Sequence, residues 1–173
     1  MPYLPYAGIG SRETPESVLA IMTQLAKELD HLGYTLRSGG ANGADTAFEK
    51  GSTCKEIFLP WRGFNKNPSD RYIVSEAAHN LTARFHPAWA VLPRAVRLLM
   101  ARNANQVMGE TLDAPAKFVI CWTRDGAESP KERTSKTGGT GQAIAIASHY
   151  GIPVFNLQKT DAHARLLMLV NPC

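Results

Sequence analysis

The apolar residues of this 173-residue chain recur in two alternating patterns, short unbroken runs and helical spacings of three and four. The apolar runs, bounded by Gly, Pro or polar residues, predict five strands, over residues 6–9, 34–36, 56–59, 118–122 and 154–156. The helical spacing predicts six helices, over residues 14–32, 42–50, 72–78, 93–108, 142–149 and 161–170. The first of these helices has the clearest boundaries, because it opens at Thr14-Pro15-Glu16 and stops before Gly33.

Strands that alternate with helices predict an α/β fold. Each helix carries the chain back to the start of the next strand, so that the strands run parallel and helices cover both faces of the sheet. We therefore expect a Rossmann-like three-layer sandwich with a mostly parallel sheet of about five strands. Residues 124–141 are polar and rich in turn formers, which predicts a mobile loop within a single domain of residues 1–173.

The composition is that of an ordinary globular protein, with 44% hydrophobic and 20% charged residues. No apolar run approaches the roughly 18 residues of a membrane span, and the first residues lack the features of a secretory signal. We therefore expect a cytoplasmic protein that makes no membrane contact. The three cysteines include no Cys-x-x-Cys pair, and the five histidines include no His-x-x-x-His pair. Neither a metal site nor a cofactor is expected.

The positive charge is concentrated in one part of the chain. Residues 62–102 contain seven Lys and Arg but only two Asp and Glu, an excess of +5, whereas the whole chain carries +4. Arginine predominates in this block, and its planar guanidinium suits bidentate contact with phosphate or carboxylate. An anionic partner is one interpretation. The other is that these arginines only solvate helix surfaces.

Three glycine-containing segments connect a predicted strand or loop to a helix. Because ligands of parallel sheets bind beyond the carboxyl ends of the strands, these segments are candidate phosphate-binding sites. Their glycines allow close approach of the backbone to a ligand, although glycine is also common in tight turns. The candidate ligand-binding residues are Gly8, Gly10, Ser11, Arg12, Ser38, Gly39, Gly40, Ala41, Asn42, Gly43, Asp45, Thr137, Gly138, Gly139, Thr140, Gly141 and Gln142.

Two common phosphate motifs fit these segments poorly. Glu13 stands where a dinucleotide fingerprint has its third glycine, and Arg37 and Ser38 stand where an acidic residue would end the second strand. No segment contains the Gly-Lys-Ser or Gly-Lys-Thr of a P-loop. Ordinary NAD binding and P-loop ATP hydrolysis are therefore disfavoured.

Four motifs together resemble the SLOG superfamily over about residues 6–157. They are Gly10-Ser11-Arg12, the segment from Ser38 to Asp45, Ala101-Arg102-Asn103 and the late Gly138-Gly139-Thr140-Gly141. This superfamily joins the Rossmann-like core of DNA-processing protein A, the lonely-guy nucleotide phosphoribohydrolases and the YspA/YpsA-like proteins. The chain is most similar to the small YspA-like, phage-type members.

The resemblance implies a pocket for a nucleotide or nucleotide-derived ligand at the sheet edge, with Arg102 and Asn103 among its residues. Such a ligand, for example a nucleoside monophosphate or an ADP-ribose-like molecule, would be sensed, sequestered or processed. Asp45 would accept hydrogen bonds from ribose or cap its own helix. Asn103 would bond a loop backbone or point into the pocket, and residues 137–142 would close over phosphate. Relatives often self-associate, which implies a homodimer or larger homo-oligomer.

Two alternatives follow from the same resemblance. Lonely-guy enzymes cleave the bond between base and ribose phosphate with an arginine and a glutamate. Arg102 matches the arginine, but Ala145 occupies the glutamate position, so a nucleotide N-glycosidase would have to use Asp45, Glu49 and Arg102 as its candidate catalytic residues. Proteins like DNA-processing protein A bind single-stranded DNA through a basic pocket. The one segment here that interleaves aromatic and basic residues is 61–64.

Overall fold

The strands and helices of this protein alternate along the chain in a computed structural model that describes residues 2–171. The strands are β1 (Leu4–Gly8), β2 (Tyr34–Ser38), β3 (Lys55–Ile57), β4 (Val119–Cys121) and β5 (Val154–Asn156). The α-helices are α1 (Glu16–His31), α2 (Ala44–Gly51), α3 (Glu76–Ala83), α4 (Arg94–Met108), α5 (Thr140–His149) and α6 (Ala162–Val170). Short 3-10 helices cover Phe64–Lys66, Trp89–Val91 and Pro130–Glu132. None of the helices in this described part of the chain is long and apolar enough to cross a membrane.

All five strands are parallel and lie in the order β3-β2-β1-β4-β5. The chain first moves outward from β1 to β3, and α4 then returns it to the other side of β1, where β4 pairs Val119 with Ala7. The direction of winding therefore reverses between β1 and β4. In open parallel sheets, the crevice at such a reversal is the usual place for a ligand.

Helices cover both faces of the sheet, and alternate strand residues face opposite layers. Tyr6 and Ile120 belong to the core that contains Met22 of α1, Phe48 of α2 and Leu166 of α6. Their chain neighbours Ala7 and Val119 belong to the other core, with residues of α3, α4 and α5. The predicted three-layer α/β sandwich is confirmed, and its sheet is parallel throughout.

The bounds of several elements differ from those that the sequence pattern predicts. The third helix begins at Glu76 and not at residue 72, because the Ser75 hydroxyl accepts a hydrogen bond from the Ala78 amide and caps the helix there. The start of α1 has no such cap. The Thr14 hydroxyl instead donates to the carbonyl oxygen of Ser11 at 2.7 Å, which ties the start of the helix to the loop after β1.

The aromatic cluster under β1 generates a prediction for stability. The Phe118 ring is 1% exposed and lies 5.6 Å from Tyr6 and 5.4 Å from Tyr34 between ring centroids. Replacing Phe118 with alanine leaves a cavity, and we expect a loss of about 3–5 kcal/mol in the free energy of unfolding, measured by urea denaturation. The control is Leu169→Ala, because Leu169 is 45% exposed and its truncation removes little packing. Equal effects of the two variants would contradict this assignment of the core.

Candidate functional site

A cavity of about 610 Å³ opens at the carboxyl edge of the sheet, where the winding reverses between β1 and β4. Its walls come from the loop after β1, the loop after β2, the middle of α4 and the segment that enters α5. The cavity brings together eleven of the predicted residues: Gly10, Ser11, Arg12, Ala41, Asp45, Arg102, Asn103, Thr137, Gly138, Gly139 and Thr140.

A buried ion pair lies at the base of this cavity. Arg102 Nη1 is 3.6 Å from Asp45 Oδ2, and the two residues are only 6% and 3% exposed. Asp45 Oδ2 also accepts the backbone N–H of Ala41 at 3.2 Å, so the carboxylate holds the loop that precedes its own helix. Burial raises the pKa of Asp45 and lowers that of Arg102, and in both cases the opposite charge of the partner counteracts the shift.

Two buried donors beside this pair have no hydrogen-bond partner among the described residues. They are Arg102 Nε and Gln106 Nε2, which lie one turn apart on α4. Both side chains pack on Gly39, where a Cβ atom would come within 1.5 Å of Arg102 Nη1 and 2.6 Å of Gln106 Nε2. Gly39 is therefore needed for the arginine to lie flat against the loop. Both side chains also line the cavity, so its base holds buried polar donors that the described residues leave unsatisfied.

The rim of the cavity is basic. Arg12, Arg124 and Lys136 join Arg102 in the lining, against the two acids Glu13 and Asp45, which leaves a formal charge of +2. Arg124 is paired with Glu13 at 2.9 Å, whereas Arg12 and Lys136 form no ion pair with any residue of the range 2–171. The positive charge of Arg12 lowers the pKa of Arg102 further. An anion bound here would relieve this repulsion.

Of the seven basic residues in the range 62–102, only Arg102 lines the cavity. Arg71 is paired with Glu110 and lies 3.5 Å from Glu56. Arg97 donates to the carbonyl oxygens of Leu92 and Ala90 at 2.9 and 2.8 Å. Two arginines of the block are therefore engaged in local contacts, and the basic rim of the cavity comes mainly from residues outside the block.

One carboxylate organises the segment between β4 and α5. Asp125 accepts hydrogen bonds from the hydroxyls of Thr123 at 2.8 Å and Thr134 at 2.7 Å, from the Thr137 hydroxyl and from the Ala127 amide at 3.3 Å. These bonds hold the pKa of Asp125 well below its ordinary value. They also hold Thr137 in the cavity wall. Mobility of residues 124–141 stays a prediction.

Asn103 connects this segment to α4. Its Nδ2 donates to the carbonyl oxygen of Gly139 at 3.3 Å, and the side chain also lines the cavity. The Asn103 side chain therefore both bonds a loop backbone and lines the cavity, which were the two alternatives in the sequence analysis. The Trp122 side chain is buried, with its indole N–H donating to Gln158 Oε1 at 2.9 Å, so it packs and does not face the ligand cavity.

The other predicted residues lie outside the cavity wall, and several have structural roles. A Cβ atom on Gly8 would lie 2.6 Å from the Phe48 ring, which makes this glycine a packing requirement. Ser38 Oγ donates to the Gly8 carbonyl at 2.6 Å, Gln142 Nε2 donates to the Thr82 carbonyl at 2.7 Å, and Glu49 accepts from Asn67 at 2.8 Å. The predicted residues outside the wall are Gly8, Ser38, Gly39, Gly40, Asn42, Gly43, Glu49, Gly141 and Gln142.

The sequence interpretation missed eight lining residues: Ile9, Glu13, Leu99, Met100, Gln106, Arg124, Ser135 and Lys136. The sequence pattern could have identified Gln106 as a candidate, since it is a polar residue one turn beyond Arg102 in a helix that is buried from Ala101 onward. Leu99 and Met100 could not have been identified in this way, because apolar residues at helical spacing are assigned to the hydrophobic core. Within residues 2–171, no group of three or more His, Cys, Asp or Glu is placed to hold a metal ion.

Comparisons with known proteins support the fold. No model of a protein family and no curated protein matches the sequence. Among solved structures, DNA processing protein A from Helicobacter pylori superposes with a TM-score of 0.55 at 18% identity, covering 96% of this chain and 72% of that one. That protein is described as having a unique single-stranded DNA binding mode. At this identity the similarity establishes a Rossmann-like fold shared with DNA processing protein A and nothing finer.

The hydrogen bonds to Asp125 generate a prediction about acid stability. The folded carboxyl has a pKa below its ordinary value of 3.8, so it stabilises the folded state above that pH and loses this effect as the pH falls below it. We expect Asp125→Asn to lower the free energy of unfolding at neutral pH and to make its decline below about pH 4 shallower, measured by urea denaturation across pH. Asp70→Asn is the control, since Asp70 is exposed and should leave the profile unchanged. If the free energy of unfolding of Asp125→Asn fell with decreasing pH as steeply as that of the wild type, Asp125 would not have this stabilising role.

Proposed function

We propose that this protein binds a phosphate-bearing nucleotide or nucleotide derivative, such as a nucleoside monophosphate or an ADP-ribose-like molecule, in the cavity between β1 and β4. The observation that carries the proposal is the basic cavity at the winding reversal. Among residues 2–171, Arg12 and Lys136 at its rim have no ion-pair partner, and two donors at its base have no hydrogen-bond partner. A site built in this way favours an anionic group with several acceptor oxygens.

The phosphate would lie between the loop after β1 and the start of α5. Ser11 and Arg12 stand on one side, and Gly138 to Thr140 stand on the other, where α5 begins. The amino end of a helix presents free N–H groups and a partial positive charge to an anion. Lys136 adds an exposed cation from the same segment.

The remainder of the ligand has an apolar wall available to it. Ile9, Leu99 and Met100 line the cavity and carry no charge that would select against a sugar or a base. The volume of about 610 Å³ lies within the range of roughly 300–1,000 Å³ that is usual for small-molecule sites. A nucleoside phosphate is therefore a suitable ligand in both size and chemistry.

The contacts of the carboxylates in the cavity favour ligand binding without hydrolysis. Of the two acids in the lining, Glu13 is exposed and paired with Arg124, while Asp45 neutralises Arg102 and holds a loop amide. Glu49, the other candidate acid, lies outside the cavity, and Ala145 is buried within α5. A nucleotide N-glycosidase would have to free Asp45 from both of its contacts. We therefore infer a sensor or a sequestering protein.

Single-stranded DNA is the second candidate ligand. The similarity in fold to a protein described for its binding of single-stranded DNA favours it, as does the basic rim. Against it, no aromatic side chain lines the cavity within the described residues, although such proteins commonly stack bases on aromatic rings.

Calorimetry with nucleoside monophosphates, ADP-ribose and ribose 5-phosphate tests the main proposal, followed by mass spectrometry of the ligand after incubation. We expect binding and recovery of unchanged ligand. Arg12→Gln and Lys136→Gln should each weaken binding about 10-fold or more, because a hydrogen bond to a charged group contributes about 1.5–3 kcal/mol. Lys27→Gln is the charge-matched control on α1, and its affinity should equal that of the wild type.

Two results would count against this proposal. The absence of binding to every phosphate-bearing probe would remove the nucleotide site altogether. Recovery of free base or ribose phosphate would show turnover, and the N-glycosidase alternative would then replace the sensor.

The DNA alternative predicts a different salt dependence. If a single strand is the ligand, several phosphates are neutralised at once, and the logarithm of the affinity falls steeply with the logarithm of the salt concentration. A gel shift with a thymidine oligonucleotide over a salt series measures this slope. A slope no steeper than that of a mononucleotide would indicate that one phosphate alone is bound.

A further inference from the structure

The loop that follows β3 lies directly beside the candidate cavity. Because β3 neighbours β2 in the sheet, residues 58–69 meet the glycine loop after β2 at the carboxyl edge. Asn65 Nδ2 donates to the carbonyl oxygen of Gly40 at 3.0 Å. The Phe64 ring lies under the cavity arginine, with its centroid 5.9 Å from Arg102 Cζ. The loop is thus joined to the cavity wall by a hydrogen bond and by an arginine–aromatic contact.

This loop carries one exposed aromatic ring and two cations. Trp61 is 39% exposed, and its ring packs edge-on against the buried Phe64 ring at a centroid distance of 5.1 Å. Arg62 and Lys66 are exposed on the same loop, and residues 58–69 contain no acidic residue. The Trp61 and Arg102 contacts with Phe64 together place the exposed indole within 11 Å of the cavity guanidinium.

The backbone of this loop has an unusual conformation that it keeps through specific bonds. Gly63, Asn65 and Lys66 have φ values of 72°, 50° and 60°, in the left-handed region that disfavours most side chains. The Lys66 amide donates to the Gly63 carbonyl at 2.9 Å, and Asn67 Nδ2 donates to Glu49 at 2.8 Å. Surrounding contacts therefore maintain a conformation that costs energy in isolation. The backbone that carries the indole and the two cations is therefore held in one conformation by contacts within the protein.

We propose that Trp61, Arg62 and Lys66 form a second subsite that stacks an unpaired nucleobase of a ligand whose phosphate occupies the cavity. This inference rests on the proposed function of the cavity. An exposed indole face binds planar heteroaromatic rings, and flanking cations pair with the phosphates that connect such rings. The ligand would then be longer than one nucleotide, with its chain running along the sheet edge from the cavity to Trp61. Its source is either a short single-stranded oligonucleotide or a free dinucleotide.

The test compares wild type, Trp61→Ala and Trp61→Phe in binding four probes by fluorescence anisotropy or calorimetry. The probes are ribose 5-phosphate, ADP-ribose, a thymidine oligonucleotide of about eight residues, and an abasic oligonucleotide of the same length. We expect Trp61→Ala to weaken the thymidine oligonucleotide about 10-fold and to leave ribose 5-phosphate and the abasic oligonucleotide unchanged. Trp61→Phe should retain most of the affinity, because a phenyl ring also stacks. Val91→Ala, a truncation at an 81% exposed apolar residue, is the control.

The outcomes separate the subsite from the cavity. Binding of ribose 5-phosphate with no effect of Trp61→Ala on any base-containing probe would overturn the subsite and leave the cavity proposal standing. Equal losses for the abasic and thymidine oligonucleotides would also overturn it, since stacking would not be the cause. A loss confined to ADP-ribose, in which two phosphates join a nucleoside to a second ribose, would identify a free dinucleotide-like molecule and not an oligonucleotide as the ligand. No binding of any probe by the wild type would overturn the cavity proposal and the subsite together.

Discussion

The buried pair of Arg102 and Asp45 connects the two layers of this fold at the point where its winding reverses. Asp45 comes from α2, on one face of the sheet, and Arg102 comes from α4, on the other. Their side chains meet at the carboxyl edge because β1 and β2 end there in glycine-rich loops that leave space above the sheet. Removing two charges from water is costly, and the pair persists only because each partner offsets the burial of the other. The shape of the cavity therefore depends on this contact.

The same pair would also contribute to the anion site that we propose. Asp45 has already accepted a loop amide, so its charge is shared between Ala41 and Arg102. Arg102 keeps an unbonded Nε, and the nearby positive charge of Arg12 makes its protonated form less favourable. A phosphate placed between these arginines would improve the electrostatics of both. The buried carboxylate is needed to hold the site together, which also explains why it is poorly suited to act as an acid or base.

The order of the elements followed from the sequence, whereas the residues that line the cavity followed only in part. Alternating strands and helices imply crossovers, and crossovers imply a carboxyl edge where Ser11, Arg12 and Asp45 must meet. Gly8 looks like the same kind of glycine but is required by the Phe48 ring. The charge count along the chain does not show which arginines are available, since Arg71 and Arg97 are already bonded within the protein.

The spatial order of the strands shows which cations lie close together, which a count of basic residues along the chain does not. With the order β3-β2-β1-β4-β5, the loops after β3, β2, β1 and β4 stand in a row along one edge. Cations that are far apart in the sequence, from Arg12 and Lys66 to Lys136, therefore belong to neighbouring loops. The two ends of this row differ chemically, because an exposed indole lies at the β3 end and a helix amino terminus lies at the β4 end. A ligand with a ring at one end and a phosphate at the other would match this edge in only one orientation, so under the proposed function the sheet topology would set the polarity of binding.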